Sequence, residues 1–421
     1  MSRTRTLLRL ALLTSTCGLL SCGGARPGTP AANTPDASLV STDTMGATGI
    51  KPAVPESGPK VSPEAQRDLK AGEAAAASGD VAAARGHFEQ AARADGGAAE
   101  AHYNLGILAE REDRPADARR SYEAALSARP EFGPAVVAIA YQMLREGDKG
   151  SAMSYAEGRL AQSPQSNDLK NAVSRLRLLT GDIERAIRES TLVLRVDEKN
   201  VDAMKVLAAG YAKQNKHELA IAILRNAQAL DASDPEIFAK VARSYQALDE
   251  KPKARAALEA AVKLNGGGSA ETYNDLGVMY HEAGDFVGAE SMFVEALKRW
   301  PTMVAAQLNL GSAFKGQQRY AEAESAMKHA LKLSGSSGDI LFNLGILYLD
   351  GQFAEIDAVT RLERAVEYFE KYKQAPGRPA GNDPVDQYVA EANKRIEVEK
   401  KKAASQRQAP KAPEPGGGDT P

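Results

Sequence analysis

The chain has 421 residues, of which 26% are charged, with 53 Lys and Arg against 55 Asp and Glu and a formal charge of −2. That balance leaves no basic excess to hold a polyanion, which excludes nucleic acid as an expected partner. A length of this order would ordinarily divide into roughly two or three globular domains, unless a repeat turns it into one extended unit.

At the N-terminus Arg3, Arg5 and Arg9 precede an apolar stretch from Ala11 to Leu20 that is too short to span a bilayer, which predicts a signal peptide over residues 1–21. The stretch ends in Leu19, Leu20, Ser21, Cys22 and Gly23, a sequence that resembles a bacterial lipobox. The resemblance implies cleavage after Ser21 and lipid attachment at Cys22. An aspartate after the cysteine would imply retention in the inner membrane; Gly23 in that place implies an outer-membrane lipoprotein facing the periplasm. With Cys17 removed and Cys22 lipidated, the mature chain would hold no free thiol and no disulfide. Residues 22–62 are rich in Pro, Gly, Thr, Ser and Ala without periodicity, and read as a disordered tether.

Alanine then returns with a period of 34 residues at Ala84, Ala118, Ala152, Ala186, Ala220 and Ala254, and after one inserted residue at Ala289 and Ala323. Twelve positions before each stands a small residue: Gly72, Gly106, Ala140, Ser174, Ala208, Ala242, Gly277 and Gly311. Two helices are brought into close contact at both points, and apolar residues three and four apart, such as Phe88, Tyr122, Leu224, Leu258, Phe293 and Met327, complete one face. Gly79, Gly147, Gly181 and Gly284 fall at the turn between the helices, and Pro130, Pro164 and Pro301 end the second helix. A period of this length marks a solenoid of helical hairpins.

These residues closely resemble the tetratricopeptide repeat family. The unit from Ala270 to Met303 carries Tyr273, Leu276, Gly277, Tyr280, Gly284, Ala289, Phe293, Ala296 and Pro301 at the family's offsets. The resemblance implies an all-α, right-handed superhelical solenoid over residues 63–375, of about nine helix-turn-helix units starting at Ala65, Ala99, Gly133, Asn167, Val201, Pro235, Ala270, Val304 and Gly338. Units three and four carry Ala156 and Ser190 where a large apolar residue is usual, which predicts local looseness. In unit nine the alanine is displaced to Ala365 by extra residues around Phe353 to Thr360, which predicts an irregular hairpin. Residues 376–402 predict a C-terminal capping helix with Val385, Tyr388, Val389, Ala392 and Ile396 as its apolar stripe, followed by a disordered tail over 403–421.

No catalytic constellation is legible. His87, His102, His217, His281 and His329 fall singly in separate units with no ligand-like spacing, so neither a metal nor a cofactor is expected, and no small-molecule substrate. Trp300, before Pro301 at a helix end, reads as a packing residue. The expected chemistry is protein binding. In the family the first helix of each unit lines the concave face, which implies a groove with Tyr103, Ile107, Tyr141 and Leu144 as its apolar part, Lys205, Lys213 and Arg243 as a basic centre, and Phe342 at the far end. The alternative for the far end is that the cap covers Phe342 to Leu349. The family's carboxylate clamp is not reproduced, since Ala209 stands where a clamp asparagine belongs.

A narrower resemblance, in the lipobox, the long array, the displaced ninth hairpin and the closing segment from Asp383, is to the tetratricopeptide lipoproteins of bacterial adventurous gliding motility. It implies a non-enzymatic scaffold in an envelope-spanning motility complex, whose partners are envelope proteins and which meets the membrane through its lipid anchor. The same architecture would serve a pilotin for secretin or pilus assembly, or an adaptor for cell-wall hydrolases. An enzyme is the remote alternative.

Overall fold

The computed structural model describes residues 61–264, 267–335, 337–375 and 383–408, and among them the secondary structure is all helical. Nine pairs of helices follow one another, each with an inner and an outer member: α1 (Pro63–Ser78) with α2 (Val81–Ala94), α3 (Ala99–Arg111) with α4 (Pro115–Ala128), α5 (Gly133–Arg145) with α6 (Lys149–Gln162), α7 (Asn167–Thr180) with α8 (Ile183–Val196), and α9 (Val201–Lys213) with α10 (His217–Leu230). The array continues with α11 (Pro235–Ala247) and α12 (Lys251–Lys263), α13 (Ala270–Glu282) and α14 (Phe286–Arg299), α15 (Val304–Gly316) and α16 (Tyr320–Ser334), and α17 (Gly338–Asp350) and α18 (Ala358–Gln374). A last helix, α19 (Val385–Gln408), caps it and runs six residues past its predicted end. Eight of the nine units begin on the predicted residue; the first begins at Pro63, because the Ser62 hydroxyl accepts the Ala65 amide and proline suits the first helical turn.

Within a unit the turn needs one left-handed residue. Gly79, Gly147, Gly181 and Gly284 supply it at φ +85°, +88°, +94° and +81°. In the units without glycine the same place is taken by Asp113, Asn215, Asp249 and Gln318, at φ between +56° and +63°, which costs little for Asp and Asn and more for Gln.

The small residue of the inner helix is matched in size to the residue sixteen positions later on the outer helix. A Cβ on Gly277 would lie 2.6 Å from the Phe293 ring, and the same close approach pairs Gly72 with Phe88 and, across the insertion of unit nine, Gly345 with Phe369. Where the inner residue is Ala208 or Ala242, its outer counterpart is the slimmer Leu224 or Leu258. Units three and four carry the matching to its limit, Ala140 with Ala156 and Ser174 with Ser190, and all four are fully buried. Within each of these two units the inner and outer helices pack less extensively than in the others, as the predicted looseness has it, whereas the inner helices α5 and α7 meet directly: a Cβ on Gly133 would lie 2.6 Å from the Asp168 carbonyl oxygen.

In unit nine the inserted residues form a loop from Gly351 to Asp357, with Phe353 stacked on Tyr348 at 5.1 Å, and α18 starts where the Asp357 carboxylate accepts the Val359 and Thr360 amides. The cap then seals the apolar end of the array with Val385, Ala392 and Ile396.

Candidate protein-binding surface and the contact that closes the array

The inner helices of units two and four to seven carry a carboxylate at their second position, Glu100, Asp168, Asp202, Glu236 and Glu271, and Asp339 holds the same place in unit nine. Because the same position in successive units faces the same way, these groups form a row along the inner wall. Glu236 is the hub. Its carboxylate meets Lys205 at 2.9 Å, Arg175 at 3.0 Å and Lys240 at 3.4 Å, and the Arg175 pair links unit four to unit six. Burial alone would raise the Glu236 carboxyl, but Lys205, Lys240 and Arg175 outweigh it and hold it well below its ordinary value. Lys205 also binds Asp202 at 2.8 Å and Asp234 at 3.1 Å; burial opposes its charge, yet the three carboxylates keep its ammonium well above the usual lysine value.

Tyr103 stands beside this network, edge-on to Phe132 at 5.5 Å and 5.6 Å from Tyr122, and its phenol is raised chiefly by burial. Glu100 is held by Arg129 at 2.7 Å, and that guanidinium lies 4.3 Å above the Phe132 ring. In unit seven, burial raises the Asp275 carboxyl, with Arg243 at 3.8 Å opposing and Glu271 adding to the shift.

The array also touches itself. Arg111 Nη1 donates to the Arg299 carbonyl at 3.2 Å, and Thr302 Oγ1 donates to the Arg111 carbonyl at 2.8 Å, between residues 188 and 191 positions apart. Gly79 lies against Lys298, where an added Cβ would approach to 2.8 Å. Trp300 donates its indole N–H to Thr302 Oγ1 at 3.1 Å and packs on the core that begins in unit two. The end of unit seven therefore meets units one and two, and the superhelix closes. Burial lowers the Arg111 guanidinium from its ordinary value; Glu271 opposes this and Arg299 adds to it. Glu271 is 1% exposed with neither carboxylate oxygen hydrogen-bonded.

This packing redistributes the predicted groove. Tyr103, Ile107, Tyr141 and Leu144 are buried rather than presented on an open face, because neighbouring helices cover them. Lys205 is committed to three carboxylates. Phe342 lies beneath the cap, 5.7 Å from Tyr388 and 5.3 Å from Tyr372, which leaves it outside any open groove. Lys213 and Arg243 are half-buried and keep access to solvent. Sequence reasoning missed the carboxylate row, although its repeat spacing is visible, and missed the closing contact, for which Trp300 was the one available signal. Trp300 does pack, as expected. Cys22, the predicted signal peptide, the tether up to residue 60 and the tail from residue 409 lie outside the described residues, while 403–408, predicted as disordered tail, are the last residues of the helix α19. Among the described residues no group of His, Cys, Asp and Glu is placed to hold a metal ion, and no helix is long and apolar enough to cross a membrane.

A tetratricopeptide repeat family model matches residues 69–134, 241–304, 282–338 and 308–379. The chain is a tetratricopeptide repeat protein. It is 25% identical over 143 residues to the BBSome complex member BBS4 homolog of Drosophila melanogaster, which covers 34% of this chain and 29% of that protein. The chain spans less than a third of the length of such relatives. Its fold is similar to that in the crystal structure of the APC/C hetero-tetramer Cut9–Hcn1, with a TM-score of 0.51 and 16% identity over 74% of this chain and 62% of that one. A crystal structure of MamA is 27% identical over 39% of this chain and 95% of its own, with a TM-score of 0.35. A tetratricopeptide array of this kind is a scaffold for protein–protein interaction.

Proposed function

We propose that this tetratricopeptide repeat protein is an outer-membrane lipoprotein, anchored through Cys22 and facing the periplasm, that holds envelope proteins together in a gliding motility complex. The observation that carries the scaffold role is the inner wall. A row of carboxylates, cations and aromatic rings lines units two and four to seven, closed by the contact at Arg111, Trp300 and Thr302. Such a wall offers a peptide alternating charges along a fixed path, once the contact opens. The anchor rests on the lipobox-like Leu19 to Gly23, and the motility role on the resemblance of the whole arrangement to gliding lipoproteins.

Photocrosslinking residues at Lys213 and Arg243 in intact envelopes test the scaffold role, with capture of motility proteins as the expected result. Capture of secretin or cell-wall hydrolase partners instead would overturn the motility assignment. Cys22→Ala should release the protein from the outer-membrane fraction; a variant that stayed there would remove the anchor.

A further inference from the structure

Large apolar side chains are exposed mainly in one place. Leu192 (55% exposed) and Val196 (81%) on α8, and Leu219 and Leu230 on α10, stand on the outer helices of units four and five. Val196 and Leu230 are 34 residues apart, so they occupy the same position in adjacent units. On α8 Leu192 and Val196 are four apart, and on α10 Leu219, Ile223, Asn226 and Leu230 follow one stripe, so the side chains form a single ridge two helices wide.

Exposed cations outnumber exposed carboxylates around the ridge. Over residues 182–199 and 216–230 the exposed cations are Arg185, Arg188, Arg195, Lys199, Lys216 and Arg225, against exposed Asp182, Glu184, Glu198 and Glu218 and half-buried Glu189 and Asp197, of which Glu189 pairs with Arg185. Among the described residues Arg188, Arg195 and Lys199 have no ion-pair partner, whereas the inner-wall cations are matched to carboxylates. Three unmatched cations beside solvent-facing leucines and a valine are not what core packing produces.

We infer that this outer ridge docks the array on an anionic phospholipid surface. The outer side of a solenoid is convex and offers no groove for a peptide, so its apolar side chains fit a flat partner into which each can insert singly. A second copy would bring the same positive charge and be repelled. An anionic bilayer supplies what the ridge lacks, with phosphate oxygens for the guanidinium and ammonium groups and an acyl boundary for Leu192, Val196 and Leu230. The contact needs no acyl anchor, so it stands or falls apart from the lipoprotein assignment.

The test uses the full chain carrying Cys22→Ala, floated with vesicles of phosphatidylglycerol and phosphatidylcholine or of phosphatidylcholine alone. The parent should partition onto the anionic vesicles only, and release at high salt. Leu192→Asp/Val196→Asp/Leu230→Asp should reduce partitioning at least tenfold with helicity unchanged, and Arg188→Glu/Arg195→Glu, which leaves the apolar residues in place, should do the same. Binding through another segment would be common to all these chains, so equal flotation of parent and variants overturns the inference. So does a parent that binds neither vesicle, or one whose ridge captures an acidic protein and no lipid.

Discussion

Opening of the closed array can be followed through one fluorophore. Trp300 is the only tryptophan in the chain, and it sits on the contact between units seven and two. The contact gains a hydrogen bond from a charged donor, Arg111 to the Arg299 carbonyl, at about 1.5–3 kcal/mol, and a neutral one from Thr302 at about 0.5–1.5 kcal/mol. Against these stand the burial of the Arg111 guanidinium and its nearness to the Arg299 cation, which the Glu271 carboxylate offsets only in part. Gains and costs of similar size place the open and closed forms close in free energy. Arg111→Ala removes the strongest favourable term, so the open fraction should rise by about ten- to a hundredfold, since each 1.4 kcal/mol is a factor of ten. The expected readout is a red-shifted Trp300 emission with easier acrylamide quenching, an increase in radius of gyration by small-angle scattering, and unchanged far-ultraviolet circular dichroism. Thr302→Val should move the same observables by a smaller amount. If Arg111→Ala left quenching and radius at parental values, the balance argued here would be wrong and the closure would rest on apolar packing alone.

Gly277→Ala should destabilise by about 1–3 kcal/mol through its clash with Phe293, and Phe293→Leu in the same chain should recover part of the loss; chemical denaturation of the four chains in a double-mutant cycle measures the coupling. Gln318→Gly, at φ +63°, should raise stability by about 1 kcal/mol, seen as a higher denaturation midpoint. Glu236 has a carboxyl depressed in the fold from an ordinary value of 4.5, so its contribution is present above that pH and is lost as pH falls below it. Denaturation midpoints should therefore decline from pH 5 toward pH 3 more steeply in the parent than in Glu236→Gln, which should itself lose about 3–5 kcal/mol at pH 7 by leaving Lys205 and Arg175 short of a partner. Tyr388→Ala should uncover Phe342 and lower the melting temperature, and restored apolar volume in Tyr388→Phe should return it.

The units themselves were legible because their determinants are local. Gly277 and Phe293 are sixteen residues apart, and the turn residue lies a few positions from both helices, so the 34-residue phase alone places eight of the nine unit starts. Groove accessibility was not legible for the opposite reason. A family position says which way Tyr103 or Leu144 points, whereas its exposure depends on how closely the next inner helix approaches, as α7 approaches α5 where Gly133 meets the Asp168 carbonyl. The closing contact is more remote still. It accumulates the small rotation of each unit across 188 residues, and no pattern within one unit records that sum.

The same geometry explains why the inner wall is satisfied by its own charges. A solenoid left open would keep Glu236, Lys205 and Arg175 hydrated, and their pairing would matter little in water. Closure brings unit seven onto units one and two and puts these groups in a drier interior, where an unmatched charge is costly, so a network spanning units four to six is what the closed form requires. A ligand entering the wall must exchange partners with that network rather than fill an empty site. Recognition on this face should therefore favour peptides carrying both a carboxylate and a cation, able to replace the Arg175–Glu236 pair without stranding either member, and binding should weaken with salt less than it would at an exposed charged groove.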